Sequence, residues 1–402
     1  CWWHMSIART VISEAMKASF PATRVVNIDP KNIDESALMR TIVPALQSGE
    51  VVAFPTETVY GLGGNALCAS AISKIFKAKG RPSDNPLIVH ISNLDQLNRL
   101  VAPGAFPLPG TLTRTLCDRF WPGPLTILFP KNERVPTNVT AGLDHIAIRM
   151  PAHPIARKII DLCDLPLAAP SANRSGKPSP TCASHVLFDL GRATEVQPDA
   201  ENSFKFGEGT GIGFLVDGGE CSVGVESTVV RVEDFKILRP GTVTLEQLKA
   251  IDSRFQLLSV VQKQFTDKKD LSKEEEKDLA APATPGLKYK HYSPSVPVYL
   301  FNYQDNLEVL QSNINSFIEN KLQIGTKVGI LNIHKELRYP QSDQLMLCDI
   351  GDSPSAVAKN LFAAFRYFDE QGVDMIIMEG ISEENEGMAV MNRARKAATE
   401  IL

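Results

Sequence analysis

The stretch KAKGRPSDNPLIVH, residues 77–90, places basic side chains beside a glycine and two prolines. Lys79 and Arg81 fall at and just beyond a predicted helix end, where these rigid neighbours fix the backbone. Such cations can donate charge-assisted hydrogen bonds to phosphate oxygens, each contributing about 1.5–3 kcal/mol when desolvated. Cations near a helix C-terminus also stabilise its dipole, the interpretation preferred for Lys77. The stretch predicts an anion site, whereas His90 by itself is typical of a packed core histidine.

Two further polar segments interrupt apolar strands. In LAAPSANRSGKPSPT, residues 167–181, a strand leads into Ser171, Asn173 and Ser179. Hydroxyl and amide groups after the C-terminal end of a strand lie where open α/β sheets bind nucleotides. In FPTETVYGLGGNA, residues 54–66, the glycines predict a turn in which backbone N–H groups approach a ligand, with a plain loop as the alternative. Both segments are therefore candidates for the wall of a site.

Two arginines stand on predicted strands among apolar neighbours, Arg149 in IAIRMP and Arg239 in ILRPG. A buried arginine cannot remain unpaired. A structural ion pair, a substrate carboxylate and a phosphate each satisfy this need. Ser227, in GVESTVV, is the hydroxyl candidate in the same region. The residues alone leave these alternatives open.

Several classes of enzyme lack their motifs in this chain. There is no GxSxG, no GxxxxGK[ST] and no HExxH, so a serine hydrolase, a P-loop enzyme and a zinc site are unsupported, and no metal ligands are predicted. The cysteines are scattered without a CxxC pair, which is typical of reduced thiols in an intracellular protein. The formal net charge of −4 gives no global attraction to nucleic acid, and no apolar run approaches the ~20 residues that span a bilayer.

Apolar periodicity and turn residues predict the elements that position these side chains. Strands and helices alternate along residues 26–256, which indicates an α/β domain. Residues 257–295 are first charged and then proline-rich, which is typical of a linker. Residues 296–402 predict a second, smaller α/β domain whose last helix covers 387–400. Residues 1–25 are expected to be an N-terminal tail. Residues 5–25 are faintly similar to an organelle transit peptide, with a plain tail as the alternative, and residues 1–4 are set aside as an expression remnant.

Taken in order, seven motifs resemble the YrdC-like threonylcarbamoyl-adenylate synthases over residues 30–251: FPTETVYGLG, KAKGRP…NPLIVHI, FWPGPLTILF, IAIRMP, APSANRSGKPSPT, GVESTVV and ILRPGT. The family's KxR and SxN signatures stand as Lys79/Arg81 and Ser171/Asn173. The segment PGLKYKHYSP and the second domain resemble the long, two-domain form of archaea, many bacteria and fungi. Leu287 and Ser293 depart from the Met and Ala common there, and residues 192–212 are longer than usual.

The resemblance implies a fold and a reaction. The expected fold is α/β: an N-terminal YrdC-like twisted mixed sheet with helices around a basic cleft, plus a smaller Rossmann-like C-terminal α/β domain. The expected reaction is that of a nucleotidyltransferase, which condenses L-threonine, bicarbonate and ATP, with Mg²⁺, into threonylcarbamoyl-AMP and releases pyrophosphate. This is the first step of tRNA threonylcarbamoyladenosine modification beside the anticodon.

The resemblance also assigns roles to residues. Catalytic roles are expected for the signature residues Lys79, Arg81, Ser171 and Asn173. Contacts with threonine are expected from Thr58, His90, Arg149, Ser227 and the backbone of Ala169. Contacts with ATP are expected from Arg81, Asn85, Ser171, Ser179, Arg239 and the tether residues Tyr289 and Tyr292. The tether is expected to act as a lid over the cleft, although the two tyrosines can equally pin it to one domain.

Partners and rival functions follow from the same resemblance. The expected partners are ATP, L-threonine, bicarbonate, the threonylcarbamoyl transferase complex that takes the product, and tRNA through a weak contact, in the cytoplasm with a mitochondrial pool. A non-enzymatic RNA-binding module is the first alternative, but the acidic total and the lack of interleaved aromatic and basic residues oppose it. A carbamoyl-adenylate-forming transferase of the same fold is the second. Those relatives carry acylphosphatase-like and zinc-finger segments, neither of which is found in this sequence.

Overall fold

The protein is described by a computed structural model, which covers residues 22–192, 211–259, 261, 284, 291–304 and 306–402. Tyr289, most of the predicted linker and tail, and most of the long 192–212 stretch lie outside these residues. The described strands fall into two sheets, one of eleven strands and one of five. The fold predicted from the resemblance, a large mixed sheet followed by a smaller α/β unit, is confirmed.

The first sheet contains strands from most of the described N-terminal part of the chain. In chain order these are β1 (Arg24–Asn27), β2 (Val52–Phe54), β3 (Gly61–Asn65), β4 (Ile88–His90), β5 (Leu125–Pro130), β6 (His145–Arg149), β7 (Leu167–Ala168), β8 (Phe214–Asp217), β9 (Thr228–Arg231), β10 (Lys236–Arg239) and β11 (Gln256–Leu257). Their order across the sheet is β1-β8-β2-β3-β7-β4-β6-β5-β9-β10-β11. Parallel and antiparallel pairs alternate irregularly, so the sheet is mixed.

The helices around this sheet follow the predicted apolar periodicity, except for a short helix at residues 94–98 that was not predicted. They are α1 (Glu35–Gln47), α2 (Ala69–Lys79), α3 (Leu94–Asn98), α4 (Leu112–Phe120), α5 (Pro154–Cys163), α6 (Ala183–Leu190) and α7 (Leu245–Lys249). Asp34 caps α1 by accepting a hydrogen bond from the Ala37 amide, as expected for an Asp at that position. Gly80 ends α2 with a φ of 61°, a left-handed conformation that glycine adopts without strain. The predicted end of α2 is confirmed.

The glycine-rich segment was predicted as a turn, and this prediction is wrong. The glycines lie on β3, which pairs antiparallel with β2, and the connection between the two strands falls at residues 55–60. A Cβ at Gly63 would overlap the Phe54 ring, so this glycine serves close packing of the two strands. Strand β1 was not predicted. It has four residues at the edge of the sheet, and only the two central ones are half-buried, so its sequence shows no apolar run.

The second sheet is entirely parallel and lies in the C-terminal part. Its strands are β12 (Val298–Phe301), β13 (Val328–Asn332), β14 (Leu345–Asp349), β15 (Met375–Glu379) and β16 (Glu400–Ile401), in the order β14-β13-β15-β12-β16. Three helices cover it: α8 (Leu307–Leu322), α9 (Pro354–Gln371) and α10 (Gly387–Ala397). The last helix ends at Ala397 rather than residue 400, because Glu400 and Ile401 pair with β12.

Buried arginines of α9 and α10 join the two halves. Arg366 on α9 pairs with Asp189 of α6 at 2.6 Å and donates to the Pro178 carbonyl at 2.5 Å. Arg393 on α10 pairs with Glu226 at 3.1 Å. The second domain therefore packs against segments 178–189 and 226 of the first. Within the residues that the structure describes, no helix has both the length and the apolar character needed to cross a bilayer.

Candidate active site

One cleft in the first domain collects most of the predicted site residues. It lies beside the C-terminal ends of β4, β6 and β10, the β2–β3 connection and the segment after β7. Its wall includes these predicted side chains and backbone positions: Thr58, Arg81, His90, Arg149, Ala169, Ser171, Ser227, Arg239 and Tyr292. Lys79, Asn85, Asn173 and Ser179 are buried directly behind this wall. The sheet thus brings together residues that are far apart in the sequence.

Arg149, at the end of β6, is in register with His90 of β4. Its guanidinium donates to the Thr58 hydroxyl at 2.8 Å and to the Gly123 carbonyl at 3.1 Å. It also forms an ion pair with Glu57 at 2.5 Å. The side chain is almost fully buried, so its planar group is held in one orientation against the cleft.

Glu57 was not predicted as a site residue. It is buried, and although burial raises the pKa of its carboxyl, the Arg149 charge and several hydrogen bonds outweigh this effect and lower it. Glu57 is therefore ionised at neutral pH and satisfies Arg149. The need of a buried arginine for a partner was recognisable in the sequence, but nothing there identified Glu57 as that partner.

His90 faces the same part of the cleft. Burial lowers its pKa to about 3, so the imidazole is neutral at physiological pH. Its Nδ1 has no hydrogen-bond partner among the described residues. The Ala169 amide, next to it on the wall, is committed to the Ile88 carbonyl at 2.9 Å. His90 is thus a buried neutral group available to a ligand.

The two signature motifs contact each other. Lys79 donates to the carbonyls of Ser171 and Asn173, both at 2.5 Å, and to the Asn173 side-chain oxygen at 3.3 Å. The Ser171 hydroxyl donates to the same Asn173 oxygen at 2.5 Å. Burial lowers the Lys79 pKa well below its ordinary value. Lys79 therefore fixes the loop that presents Ser171, with its ammonium turned toward the loop backbone.

Arg81 continues the wall on the same side. Its guanidinium donates to the carbonyls of Asn85 and Pro86, at 3.4 and 3.2 Å. Burial lowers its pKa to about 10, so it remains charged at neutral pH. The buried Asn85 side-chain oxygen lacks a partner within the described part of the chain. Arg81 and Asn85 thus form a compact polar pair at the cleft.

The opposite wall carries Ser227 and Arg239. The Arg239 guanidinium donates to the Ser227 carbonyl and hydroxyl at 3.0 and 3.1 Å. The Ser227 hydroxyl lies 2.8 Å from that of Thr126. Ser179 donates to the Glu226 carboxylate at 2.5 Å, and Glu226 is a cleft residue that was not predicted. Glu226 therefore holds Ser179 in place beside this wall, in addition to lining the cleft itself.

The described end of the tether lies in the mouth of the cleft. His291 and Tyr292 line the cleft, and its cavity of about 60 Å³ has room for only a few water-sized molecules beside them. Tyr292 has a φ of 67° and stacks on Phe362 of α9, with ring centroids 5.3 Å apart. The prediction that Tyr292 can pin the tether to one domain is thus compatible with its place at the cleft.

The electrostatics of the cleft favour an anionic ligand. Three guanidinium groups, of Arg81, Arg149 and Arg239, reach its wall, and its histidines are neutral because burial lowers their pKa values. The carboxylates of Glu57 and Glu226 are each paired with an arginine. Within the described ranges, no group of three or more His, Cys, Asp or Glu residues is placed to hold a metal ion. The site can therefore bind phosphate and carboxylate groups through fixed donors.

Comparisons with known proteins cover nearly the whole chain. A family model described as Telomere recombination matches residues 44–241, and one described as Threonylcarbamoyl-AMP synthase, C-terminal domain, matches residues 243–399. A threonylcarbamoyl-AMP synthase of Pyrococcus abyssi is 41% identical, over 88% of this chain and 92% of the relative. That of Bacillus subtilis is also 41% identical, over 92% and 93%.

A solved structure shares the whole architecture. The crystal structure of P. abyssi Sua5 complexed with L-threonine aligns with a TM-score of 0.77 and 39% identity, covering 94% of this chain and 99% of the solved one. The similarity therefore extends over both domains. By its sequence, its two-domain fold and its length, this chain belongs to the threonylcarbamoyl-AMP synthase family.

Proposed function

We propose that this chain is an L-threonylcarbamoyladenylate synthase, a nucleotidyltransferase that condenses L-threonine, bicarbonate and ATP. The observation that carries the proposal is one cleft with Arg81, Arg149 and Arg239 on its wall, in a chain that matches threonylcarbamoyl-AMP synthases over most of its length. Three fixed guanidinium groups suit a substrate pair that carries a carboxylate and a triphosphate.

Threonine binds on the Arg149 side of the cleft. The planar guanidinium clamps the amino-acid carboxylate through two parallel hydrogen bonds. Neutral His90 offers a ring nitrogen that has no partner among the described residues, and the hydroxyls of Thr58 and Ser227 lie within the same wall. The P. abyssi protein was solved in complex with L-threonine, which supports threonine as a ligand of this chain.

ATP binds on the Arg81 and Arg239 side. Arg81, Ser171 and Arg239 lie on the wall, and Asn85 and Ser179 lie directly behind it, so hydroxyl, amide and cationic groups are within one region. Lys79 and Asn173 hold the Ser171 loop through the contacts described above. Tyr292 lines the cleft on the tether side. We assign it a contact with ATP, and assign the same role to Tyr289, which lies outside the described residues.

The chemical step needs no covalent intermediate with the protein. The threonine amine and bicarbonate form a carbamate with loss of water. A carbamate oxygen then attacks the α-phosphorus of ATP in line, the bond from that phosphorus to the β-phosphate bridging oxygen breaks, and pyrophosphate leaves with the electron pair. The residues of this chain position the two reactants, neutralise the phosphates and exclude water from the labile carbamate and product.

Mg²⁺ accompanies ATP in this proposal. It is usually held by substrate phosphates, several waters and one or two carboxylates. Because Glu57 and Glu226 are engaged by arginines, the residues present suit an ion that arrives on the nucleotide rather than one held in a protein cage. Mg²⁺ supplies charge neutralisation on the phosphates when bound.

The product is passed to a threonylcarbamoyl transferase complex that modifies tRNA, in the cytoplasm, with a weak tRNA contact of this chain itself. The test of the proposal is pyrophosphate release from ATP with threonine or bicarbonate omitted in turn. We expect release to require both. Release that is independent of threonine would indicate another adenylate-forming activity, and tight RNA binding without release would support a binding module instead.

A further inference from the structure

Arg393 belongs to the second domain, yet its side chain is completely buried against the cleft of the first. Its Nε donates to the Glu226 carboxylate at 3.1 Å, and its Nη2 donates to the Glu226 carbonyl at 3.3 Å. Its Nη1 donates to the Pro240 carbonyl and, at 3.3 Å, to the Asn392 side chain. One guanidinium thus forms hydrogen bonds to two separate segments of the first domain, at Glu226 and at Pro240.

Both segments carry residues that the proposed function assigns to substrates. Glu226 precedes Ser227 in the chain and accepts the hydrogen bond of Ser179 at 2.5 Å. Pro240 follows Arg239, which itself donates to Ser227. Arg393 is therefore linked to Ser179 through Glu226. It also contacts backbone carbonyls of Glu226 and Pro240, the chain neighbours of Ser227 and Arg239.

The contact between Arg393 and Glu226 matters because Glu226 carries a negative charge. Glu226 lines the cleft, where the proposed function places a triphosphate, and a bare carboxylate there would repel phosphate oxygens. Removing one partner of a buried ion pair leaves an uncompensated charge. Arg239 is another cation that acts on Glu226, so we expect loss of Arg393 to draw the Arg239 guanidinium away from Ser227 and toward this carboxylate.

We propose that Arg393 is a positioning residue for the nucleotide half of the cleft: by neutralising and anchoring Glu226, it keeps Ser179 and Arg239 in place for ATP. This inference rests on the proposed function. It means that the second domain completes the catalytic site with a side chain of its own. Arg393 also lies over the Tyr292 ring, 5.7 Å from its centroid, which links the same contact to the tether.

The test compares full-length variants in steady-state kinetics and in calorimetric titration with ATP. Arg393→Met should raise the KM for ATP at least about tenfold and the KM for threonine by a clearly smaller factor. Arg393→Lys keeps the charge and should recover part of the loss. The double variant Glu226→Gln/Arg393→Met removes both charges and should recover more ATP affinity than Arg393→Met alone.

Arg366→Met is the matched control for domain docking. Arg366 is also buried and pairs with Asp189 across the same interface. Among the described residues it contacts the first domain at Asp189 and at the Pro178 carbonyl, beside Ser179, and it forms no hydrogen bond with Glu226. We expect it to lower thermal stability without the ATP-selective effect. An ATP KM raised equally in both variants, or a double variant no better than Arg393→Met, would reduce Arg393 to a docking contact and overturn the inference.

The binding titration separates this inference from the proposed function. If the wild-type protein binds ATP but makes no threonylcarbamoyl-AMP, the proposed function fails, while a weaker ATP affinity of Arg393→Met than of Arg366→Met still supports the positioning role. If the wild-type protein makes the product and the two variants bind ATP equally well, only the positioning role fails. If the wild-type protein binds no ATP, both fail.

Discussion

At the scale of single residues, the buried pair of Arg149 and Glu57 links stability to recognition. Arg149 contacts Glu57, Thr58 and Gly123. These protein contacts fix the orientation of its guanidinium, and such preorganisation lowers the entropic cost of binding the carboxylate that the proposed function assigns to it. Two separate predictions follow for the two members of the pair.

Arg149→Lys should raise the KM for threonine at least about tenfold, because an ammonium cannot donate the two parallel hydrogen bonds of a guanidinium. The KM for ATP should change by less than about threefold. Initial rates with each substrate varied at saturating concentrations of the other measure both values. Equal losses for the two substrates would show that Arg149 has only a structural role.

Glu57→Gln should lower the free energy of unfolding by about 3 kcal/mol at pH 7, because it leaves Arg149 buried without its counter-charge. Folding lowers the pKa of Glu57 from its ordinary value of 4.5. Its ionised form therefore stabilises the fold above that value, and this contribution is lost as the pH falls through the folded pKa. The difference between wild type and variant should be full at pH 7 and shrink below pH 4.5.

Urea unfolding at several pH values measures this difference, with Glu50→Gln as the control. Glu50 forms an ion pair with Lys74 at 2.7 Å, but both side chains are largely exposed. Its loss should cost less than about 1 kcal/mol. A Glu57 effect that is equally small, or that does not change with pH, would contradict the assignment of a buried ion pair.

At the scale of elements, the sequence predicted most helices and strands of both domains, and the errors have physical causes. Helix α2 was predictable because its apolar spacing and Gly80 agree. Strand β3 was not, because glycine is typical of turns and its packing role depends on the Phe54 ring of a neighbouring strand. The pairing of β16 with β12 likewise depends on distant residues.

Gly63→Ala tests the corrected assignment of β3. The added methyl group must displace the Phe54 ring, so we expect the free energy of unfolding to fall by about 1–3 kcal/mol. Gly213→Ala is a suitable control, since among the described residues no atom beyond its chain neighbours lies within 4 Å of the position that the new methyl carbon would take. Chemical denaturation compares the two. Equal free energies of unfolding for the two variants would contradict the close packing of Gly63 against Phe54.

The tether is the second element whose role is testable. Tyr292→Ala removes the ring that stacks on Phe362, so the tether should be cleaved faster by protease near residues 291–295 and synthase activity should fall. Tyr292→Phe keeps the ring and should stay as resistant as the wild type. ATP and threonine together should slow cleavage of the wild-type protein, as expected for a lid. If none of these changes alters cleavage, the tether is only a spacer.

At the scale of the whole molecule, the site depends on contacts that single motifs do not reveal. Arg149 and Arg239 were identifiable as candidates because a strand-borne arginine needs a partner. Glu226 and Arg393 were not, since they lie 167 residues apart and meet only when the two domains pack together. The second domain thus supports the cleft from behind, because its buried Arg393 contacts Glu226 of the cleft wall.

The central claim is that this molecule joins threonine, bicarbonate and ATP in one product. The most direct measurement is mass spectrometry of the nucleotide formed from ATP, threonine and ¹³C-labelled bicarbonate with Mg²⁺. We expect threonylcarbamoyl-AMP that carries the ¹³C label, together with pyrophosphate, and no such product when threonine is omitted. An unlabelled adenylate, or ATP consumption without a threonine-containing nucleotide, would contradict it.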